Sequence, residues 1–195
     1  MTKQQNVKSC NNITTNAHEK DKDFLTEGEV GQLLKAAKNT RYSIRNQLLI
    51  TMMYKHGLRV SEVINIKLSD LNLNTSRIWI RRLKGGLSVE HPIPGEELRL
   101  IRKYLRLREN NLPWLFINER NLPLTRQAVN YIIFSVSNKA GIENVSPHTL
   151  RHSCGYYLAN KGYQQRIIQD YLGHRDPKHT ALYTRISGKM FDGIW

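Results

Sequence analysis

The chain has 195 residues, with 30 lysines and arginines against 16 aspartates and glutamates and a net charge of +14. That length holds one well-buried core plus an appendage and excludes two ordinary enzyme domains. The charge points to a polyanionic partner, nucleic acid ahead of a membrane surface, because the longest clean apolar run, Leu48 to Tyr54, suits a buried helix segment and falls far short of a bilayer span.

Residues 1 to 22 are polar, with almost nothing to bury, and read as a mobile tail ahead of one folded domain over residues 23 to 195. They contain no apolar signal region. The two cysteines, Cys10 and Cys154, are far apart and fit reduced thiols of a cytoplasmic protein.

Structure is expected to begin at Leu25, with a capping box from Thr26 to Glu29 and a hydrophobic staple from Leu25 to Val30. Val30, Leu33, Leu34 and Ala37 then follow helical spacing. A second helix over residues 43 to 55 carries Leu48, Leu49, Met52 and Met53 inward and stops at Gly57. That exit delivers Arg59 between two helix ends, with Ser61 as the expected cap of a short helix reaching Ile66.

After Asp70 the period changes. Ile78 and Ile80 alternate with Trp79 and Arg81, Val89 and Ile93 alternate with polar neighbours, and Gly85-Gly86 lies between, which reads as a β-hairpin with Lys84 on its turn. Arg77, Arg81 and Arg82 make this hairpin a candidate phosphate-contacting surface. From Gly95 the helical period returns, with Leu98, Ile101 and Leu105 as the buried stripe and Arg99, Arg102, Lys103, Arg106 and Arg108 around it. Trp114 to Ile117 reads as a short edge strand and Asn118 to Pro123 as a turn.

Thr125 caps a helix with Val129, Ile132, Ile133 and Val136 at core spacing, ended by Gly141; Thr125, Arg126 and Gln127 at its start are candidates for groove contacts. Ser146-Pro147 reads as an N-cap followed by proline at the first helical position, opening a helix over residues 147 to 161. His148 and Arg151 then share one face of its start, where unpaired amides and the helix dipole favour an anion. A helix over residues 164 to 172 stops at Gly173, ahead of His174. Asp176-Pro177 starts a last helix with Tyr183 about two turns in, on the side of His179 and Thr180.

Arg59 in Gly57-Leu-Arg-Val-Ser-Glu62, Lys84 in Leu83-Lys-Gly-Gly86, His148-x-x-Arg151, Leu172-Gly-His174 and Tyr183 nine residues further on fall in one order. That order and spacing resemble the tyrosine recombinase (phage-integrase type) family over roughly residues 24 to 190. Pro147-His-Thr-Leu-Arg-His-Ser-Cys-Gly155 and Gln169-Asp-Tyr-Leu-Gly-His-Arg175 resemble in particular its small fimbrial phase-switch members. The implied fold is α+β, mainly helical: the tyrosine-recombinase catalytic domain with a small antiparallel hairpin or sheet at one edge. No separate N-terminal core-binding domain is expected.

The resemblance implies Tyr183 as nucleophile forming a 3′-phosphotyrosyl bond and Arg59 and Arg151 as clamps on the phosphate. It implies His148 as general base, Lys84 as general acid and His174 as hydrogen-bond donor to the phosphate. Glu62 is expected to orient a basic partner. Rejoining through the covalent link needs neither ATP nor metal, so no cofactor is expected. His148 and His152 have the spacing of a zinc pair, but Thr149 and Leu150 stand where a helical zinc-protease motif carries its glutamate.

Expected partners are double-stranded DNA with short inverted repeats, three further copies in a synaptic tetramer and DNA-bending accessory proteins. The expected place is the cytoplasm, on the nucleoid. Phe191, Ile194 and Trp195 either anchor a neighbouring subunit or cap their own core. Inversion of a fimbrial promoter segment is the implied outcome. Its rivals are integration or excision of mobile DNA, relaxation in the manner of a type IB topoisomerase, and a basic regulator that binds DNA without cutting it.

Overall fold

The computed structural model describes residues 23–83, 86–108 and 110–184. The expected tail, Cys10, Lys84 and the apolar terminal residues Phe191, Ile194 and Trp195 lie outside the described residues.

Helix α1 (Glu27–Lys38) begins as its capping box dictates. Thr26 Oγ1 accepts from Glu29 N at 3.3 Å, and the Glu29 carboxylate accepts from Thr26 N at 2.7 Å. Leu25 and Val30 close the staple and are both buried. Helix α2 (Ser43–Lys55) is buried on nearly every side and becomes the axis of the core, packed against α1 and against helices α4 (Gly95–Arg106) and α6 (Pro147–Asn160). It ends at Gly57, whose φ of 56° is one that a side chain resists.

The next helix, α3 (Val60–Val63), has Arg59 as its N-cap, not Ser61. The Glu62 carboxylate reaches back to accept from Arg59 N at 2.9 Å, so the cap comes from three residues downstream.

The expected hairpin is two strands of a three-stranded antiparallel sheet. β2 (Arg77–Ile80) pairs with β3 (Val89–Pro92) in the register Ile78 to His91 and Ile80 to Val89, and the two-residue β1 (Leu71–Asn72) adds to the other edge of β2. Trp114 to Ile117 does not form the expected edge strand; it makes isolated bridges, Lys67 with Trp114 and Ile117 with Pro123. Arg108 supplies the missing pairing there by donating to the carbonyls of Leu112, Trp114 and Leu115.

In α4 only Ile101 of the expected stripe is fully buried. Glu97 and Tyr104 are also enclosed: Glu97 binds the buried His56 Nε2 at 2.8 Å, and the Tyr104 hydroxyl accepts from Ile117 N at 3.4 Å.

Helices α5 (Arg126–Ala140), α6, α7 (Gln165–Leu172) and α8 (Lys178–Thr184) complete the domain. Thr125 and Ser146 cap α5 and α6 as expected, and Gly141 and Gly173 turn the chain out of α5 and α7 at positive φ. One large core unites α1 to α6 and the sheet. A second, smaller cluster of Cys154, Tyr156, Ala159, Ile168, Leu172 and Tyr183 lies between α6, α7 and α8. Among the described residues no helix is long and apolar enough to cross a membrane.

Candidate active site

The site is built around a buried carboxylate. Glu62 is 3% exposed and accepts from Arg59 Nη1 at 2.8 Å and Arg82 Nη1 at 2.8 Å, with Arg151 Nη1 at 3.9 Å. Burial works to raise its pKa, but Arg82, the Arg59 amide and Arg151 outweigh it and hold the group below the usual carboxylate range. Glu62 therefore stays ionised and balances the arginines that would otherwise repel one another.

Arg151 is fully buried. Its Nη1 donates to the Gly57 carbonyl and its Nη2 to the Leu172 carbonyl at 2.7 Å, so the guanidinium joins the end of α2 to the end of α7. Burial first, then Arg59 and Arg82, push its pKa down to about 10, which still leaves it charged near neutrality. Arg59 keeps about a third of its side chain exposed, and with Leu83, Gly86, Gly173, Arg175 and His179 it lines an open cleft. A partly solvated guanidinium thus stands beside a wholly buried one, both turned to the Glu62 carboxylate.

His174 follows the Gly173 turn and is buried, with Nδ1 2.9 Å from Thr180 Oγ1. Burial, then Arg151 and Arg59, push its imidazole down to about 3, so it is neutral. Tyr183 is 2% exposed; its ring is 6.1 Å from that of His174, 5.2 Å from that of Tyr156 and 5.7 Å from that of His152. Burial pushes its phenol up to about 12, with Arg151 working the other way. Thr180 shares the buried side of α8 with Tyr183, whereas His179 is exposed.

His148 is exposed at the start of α6. Partial burial, then His152 and Arg151, hold its imidazole below the ordinary value. Its Nε2 lies 2.8 Å from His152 Nε2, so the two histidines face each other, and among the described residues no three His, Cys, Asp or Glu side chains converge as metal ligands. Cys154 is buried in the small cluster, where burial raises its thiol to about 12.

Sequence reasoning placed Arg59, His148, Arg151, His174 and Tyr183 in one neighbourhood, and the fold gathers them there; Lys84 lies outside the described residues. The reading of Arg82 as a phosphate-facing surface residue is corrected. Arg82 is 6% exposed and donates to Glu62, the His56 carbonyl at 3.1 Å and the Tyr171 carbonyl at 2.5 Å. The signal was present, since position 82 has the inward parity of Ile78 and Ile80. Arg81, on the outward parity, pairs with Asp70 at 2.7 Å. Asp23 was not singled out, and His152 and Thr180 were noted only for their spacing, without the contacts to Asp23, His148 and His174 that the fold gives them.

The family model described as the phage integrase family matches residues 23–190. The chain belongs to the phage integrase family. It is similar to type 1 fimbriae regulatory protein FimB of Escherichia coli (strain K12), 40% identical over 184 residues covering 92% of each chain. It is also similar to type 1 fimbriae regulatory protein FimE of the same strain, 39% identical over 178 residues, 88% of this chain and 90% of that one. Among solved structures, XerA recombinase matches with a TM-score of 0.76 and 28% identity over 87% of this chain. The matched region is 62% of the XerA chain, so the phage integrase domain seen here spans less than two thirds of that protein. XerH site-specific recombinase bound to difH substrate shares the fold, with a TM-score of 0.73 at 24% identity. The α+β, mainly helical architecture is that of the tyrosine recombinase catalytic domain.

Proposed function

We propose that the chain is a site-specific DNA recombinase that cuts and rejoins strands through Tyr183 and inverts a segment between short inverted repeats, switching a fimbrial promoter. The observation that carries the chemistry is the convergence of Arg59 and Arg151 on Glu62 beside the rings of His174 and Tyr183. That arrangement fixes two guanidinium forks and a neutral imidazole next to a phenol. The outcome of inversion rests on the similarity to FimB and FimE along nearly the whole chain. DNA as partner is supported by XerH site-specific recombinase, a chain of the same fold that was solved bound to its difH substrate.

In the proposed reaction the Tyr183 oxygen attacks the scissile phosphorus, the bond to the 5′ oxygen breaks, and a 3′-phosphotyrosyl link holds the strand end. Arg59 and Arg151 stabilise the charge developing on the non-bridging oxygens. His148 takes the phenolic proton, Lys84 protonates the departing 5′ oxygen, and His174 donates to the phosphate. The phosphotyrosyl bond is attacked in turn by a 5′-hydroxyl, which restores the tyrosine without an external energy source. Pairing of two sites requires a tetramer, and DNA-bending proteins would bring the sites together. Residues 23 to 195 act as the catalytic domain.

The test is a supercoiled plasmid carrying the inverted repeats that flank the natural switch, incubated with wild-type protein or Tyr183→Phe in EDTA without nucleotide. Inversion by the wild type alone, with a covalent adduct trapped on a nicked site, is the expected result. Binding of a verified site without any adduct would overturn the nucleophile assignment and leave a non-cutting DNA regulator.

A further inference from the structure

Three consecutive residues ahead of α1 are fastened across α6. Asp23 Oδ2 lies 2.6 Å from His152 Nδ1, the Phe24 ring packs 3.9 Å from that of Tyr156, and Leu25 N donates to Ser153 Oγ at 2.7 Å. On its far side His152 Nε2 lies 2.8 Å from His148 Nε2. Asp23, His152 and His148 thus form one hydrogen-bonded line that ends on the residue assigned above as general base.

The line has a direction. An ionised carboxylate only accepts, so the proton between Asp23 and His152 belongs to His152 Nδ1. In the state where His152 carries only that one N–H, its Nε2 accepts and His148 Nε2 donates. His148 is left with Nδ1 as its one free lone pair. His152 also meets the Tyr183 ring edge-on at 5.7 Å and 87°, so the imidazole that sets the tautomer borders the nucleophile's seat.

We propose that Asp23 and His152 are positioning residues for strand cleavage, holding His148 in the tautomer whose Nδ1 takes the Tyr183 proton and stabilising the imidazolium that forms. The proposal rests on the reading of His148 as general base. In the step, the phenolic proton moves to His148 Nδ1 while the oxygen's electron pair forms the bond to phosphorus. The bond to the 5′ oxygen breaks and that oxygen is protonated by the general acid. The Nε2 proton stays on His148, hydrogen-bonded to His152 Nε2, and the other nitrogen of His152 rests on the Asp23 carboxylate.

A purely structural strap would act through Phe24 and Leu25, which supply the apolar contact. Asp23 keeps half of its side chain exposed, so its contribution is the charge and the hydrogen bond. The charged and titratable groups acting on His148 are His152, Arg151 and Arg59, which lower its pKa, and Asp23, which raises it.

The test is single-turnover cleavage of a nicked DNA site at saturating protein between pH 5 and 8.5. Wild type is compared with Asp23→Asn, Asp23→Glu, His152→Gln and His148→Ala, with DNA binding and urea midpoints measured alongside. Asp23→Asn and His152→Gln are expected to cleave about 10- to 100-fold more slowly, as outer partners of working histidines do. In Asp23→Asn the acid limb should move to lower pH, because a charge that raises the base's pKa is gone, with DNA affinity and urea midpoint unchanged. Asp23→Glu should restore most of the rate.

Full-rate cleavage by Asp23→Asn with an unmoved acid limb would overturn the proposal, as would an equal loss in Asp23→Glu or wild-type speed in His148→Ala. A wild-type protein that makes no Tyr183-dependent adduct would remove the recombinase reading itself; an active wild type with a full-rate Asp23→Asn removes only the role of Asp23.

Discussion

Gly155 and the ring of Tyr183 occupy adjoining space so closely that a side-chain carbon at position 155 would lie 2.6 Å from Cε2 and Cζ of the tyrosine. Carbon atoms rest about 3.5 to 4 Å apart, so α8 seats its tyrosine on α6 only because residue 155 has no Cβ. Gly155→Ala should cost about 1–3 kcal/mol by overpacking, read as a lower urea midpoint. In a Tyr183→Ala background the same added methyl should cost close to nothing, since the atoms it meets are gone. A full cost in both backgrounds would mean that the helix interior of α6, and not the tyrosine seat, excludes the methyl.

Arg77 opens β2 and Arg82 lies two residues beyond its end, and the two have opposite fates. Arg82 is enclosed and bound to Glu62 and to carbonyls from two other segments, whereas Arg77 is exposed. Arg82→Ala should destabilise the domain by about 3–5 kcal/mol, because it leaves a buried carboxylate facing an empty space. Arg77→Ala should leave the urea midpoint unchanged and reduce the salt slope of DNA binding by about one, the mark of a single lost phosphate contact. Reversed results would restore Arg82 to the DNA-facing surface.

The contrast between these arginines marks where sequence reading reached its limit. Caps, glycine stops and apolar periods are local, and Thr26, Thr125, Ser146, Gly141 and Gly173 did what their types and spacing dictate. The site order from Arg59 to Tyr183 was legible because each residue sits in a short phrase of its own. What was not legible depends on contacts between distant segments. Asp23 meets His152 across 129 positions, and Arg82 meets the Tyr171 carbonyl across 89. Ser61 looked like the better cap, yet Glu62 was held in place by arginines from elsewhere in the chain.

Two buried histidines set the acid response of the fold. His91 is 1% exposed, its Nδ1 3.1 Å from that of His56 and its ring stacked on Tyr171; burial first, then His56 and Arg82, push its pKa down to about 2. His174 is pushed to about 3. In the unfolded chain both would titrate near the ordinary value of about 6.5. Between that value and the folded one, only the unfolded chain takes up the protons, so their contribution is intact above pH 6.5 and is lost as pH falls below it. The slope is about 1.4 kcal/mol per pH unit for each group. Urea midpoints should therefore drop between pH 6.5 and 4.5 in the wild type and drop less steeply in His91→Asn. Parallel curves for the two proteins would show that His91 does not stay neutral in the fold.

Thr180 is the side-chain partner of His174 Nδ1, the nitrogen that has to accept if the proposed donation to a phosphate comes from Nε2. The Thr180 hydroxyl is wholly buried, 2.9 Å from His174 Nδ1, and His174 is neutral. If His174 is to donate from Nε2, Nδ1 must accept, and the hydroxyl must be the donor. Thr180→Val keeps the shape and removes that donor, freeing the imidazole to carry its proton on the wrong nitrogen. Cleavage should fall about tenfold, whereas Thr180→Ser, which keeps the hydroxyl, should stay near the wild-type rate. Nitrogen-15 spectra of the imidazole supply the second readout: a single Nε2–H tautomer in wild type and Thr180→Ser, and a mixture in Thr180→Val. Wild-type cleavage by Thr180→Val together with a mixed tautomer would mean that His174 serves the site by its bulk alone. The same substitution loosens the seat of Tyr183 one turn later on α8, so the comparison with Thr180→Ser, matched for docking by its urea midpoint, is what separates proton placement from packing.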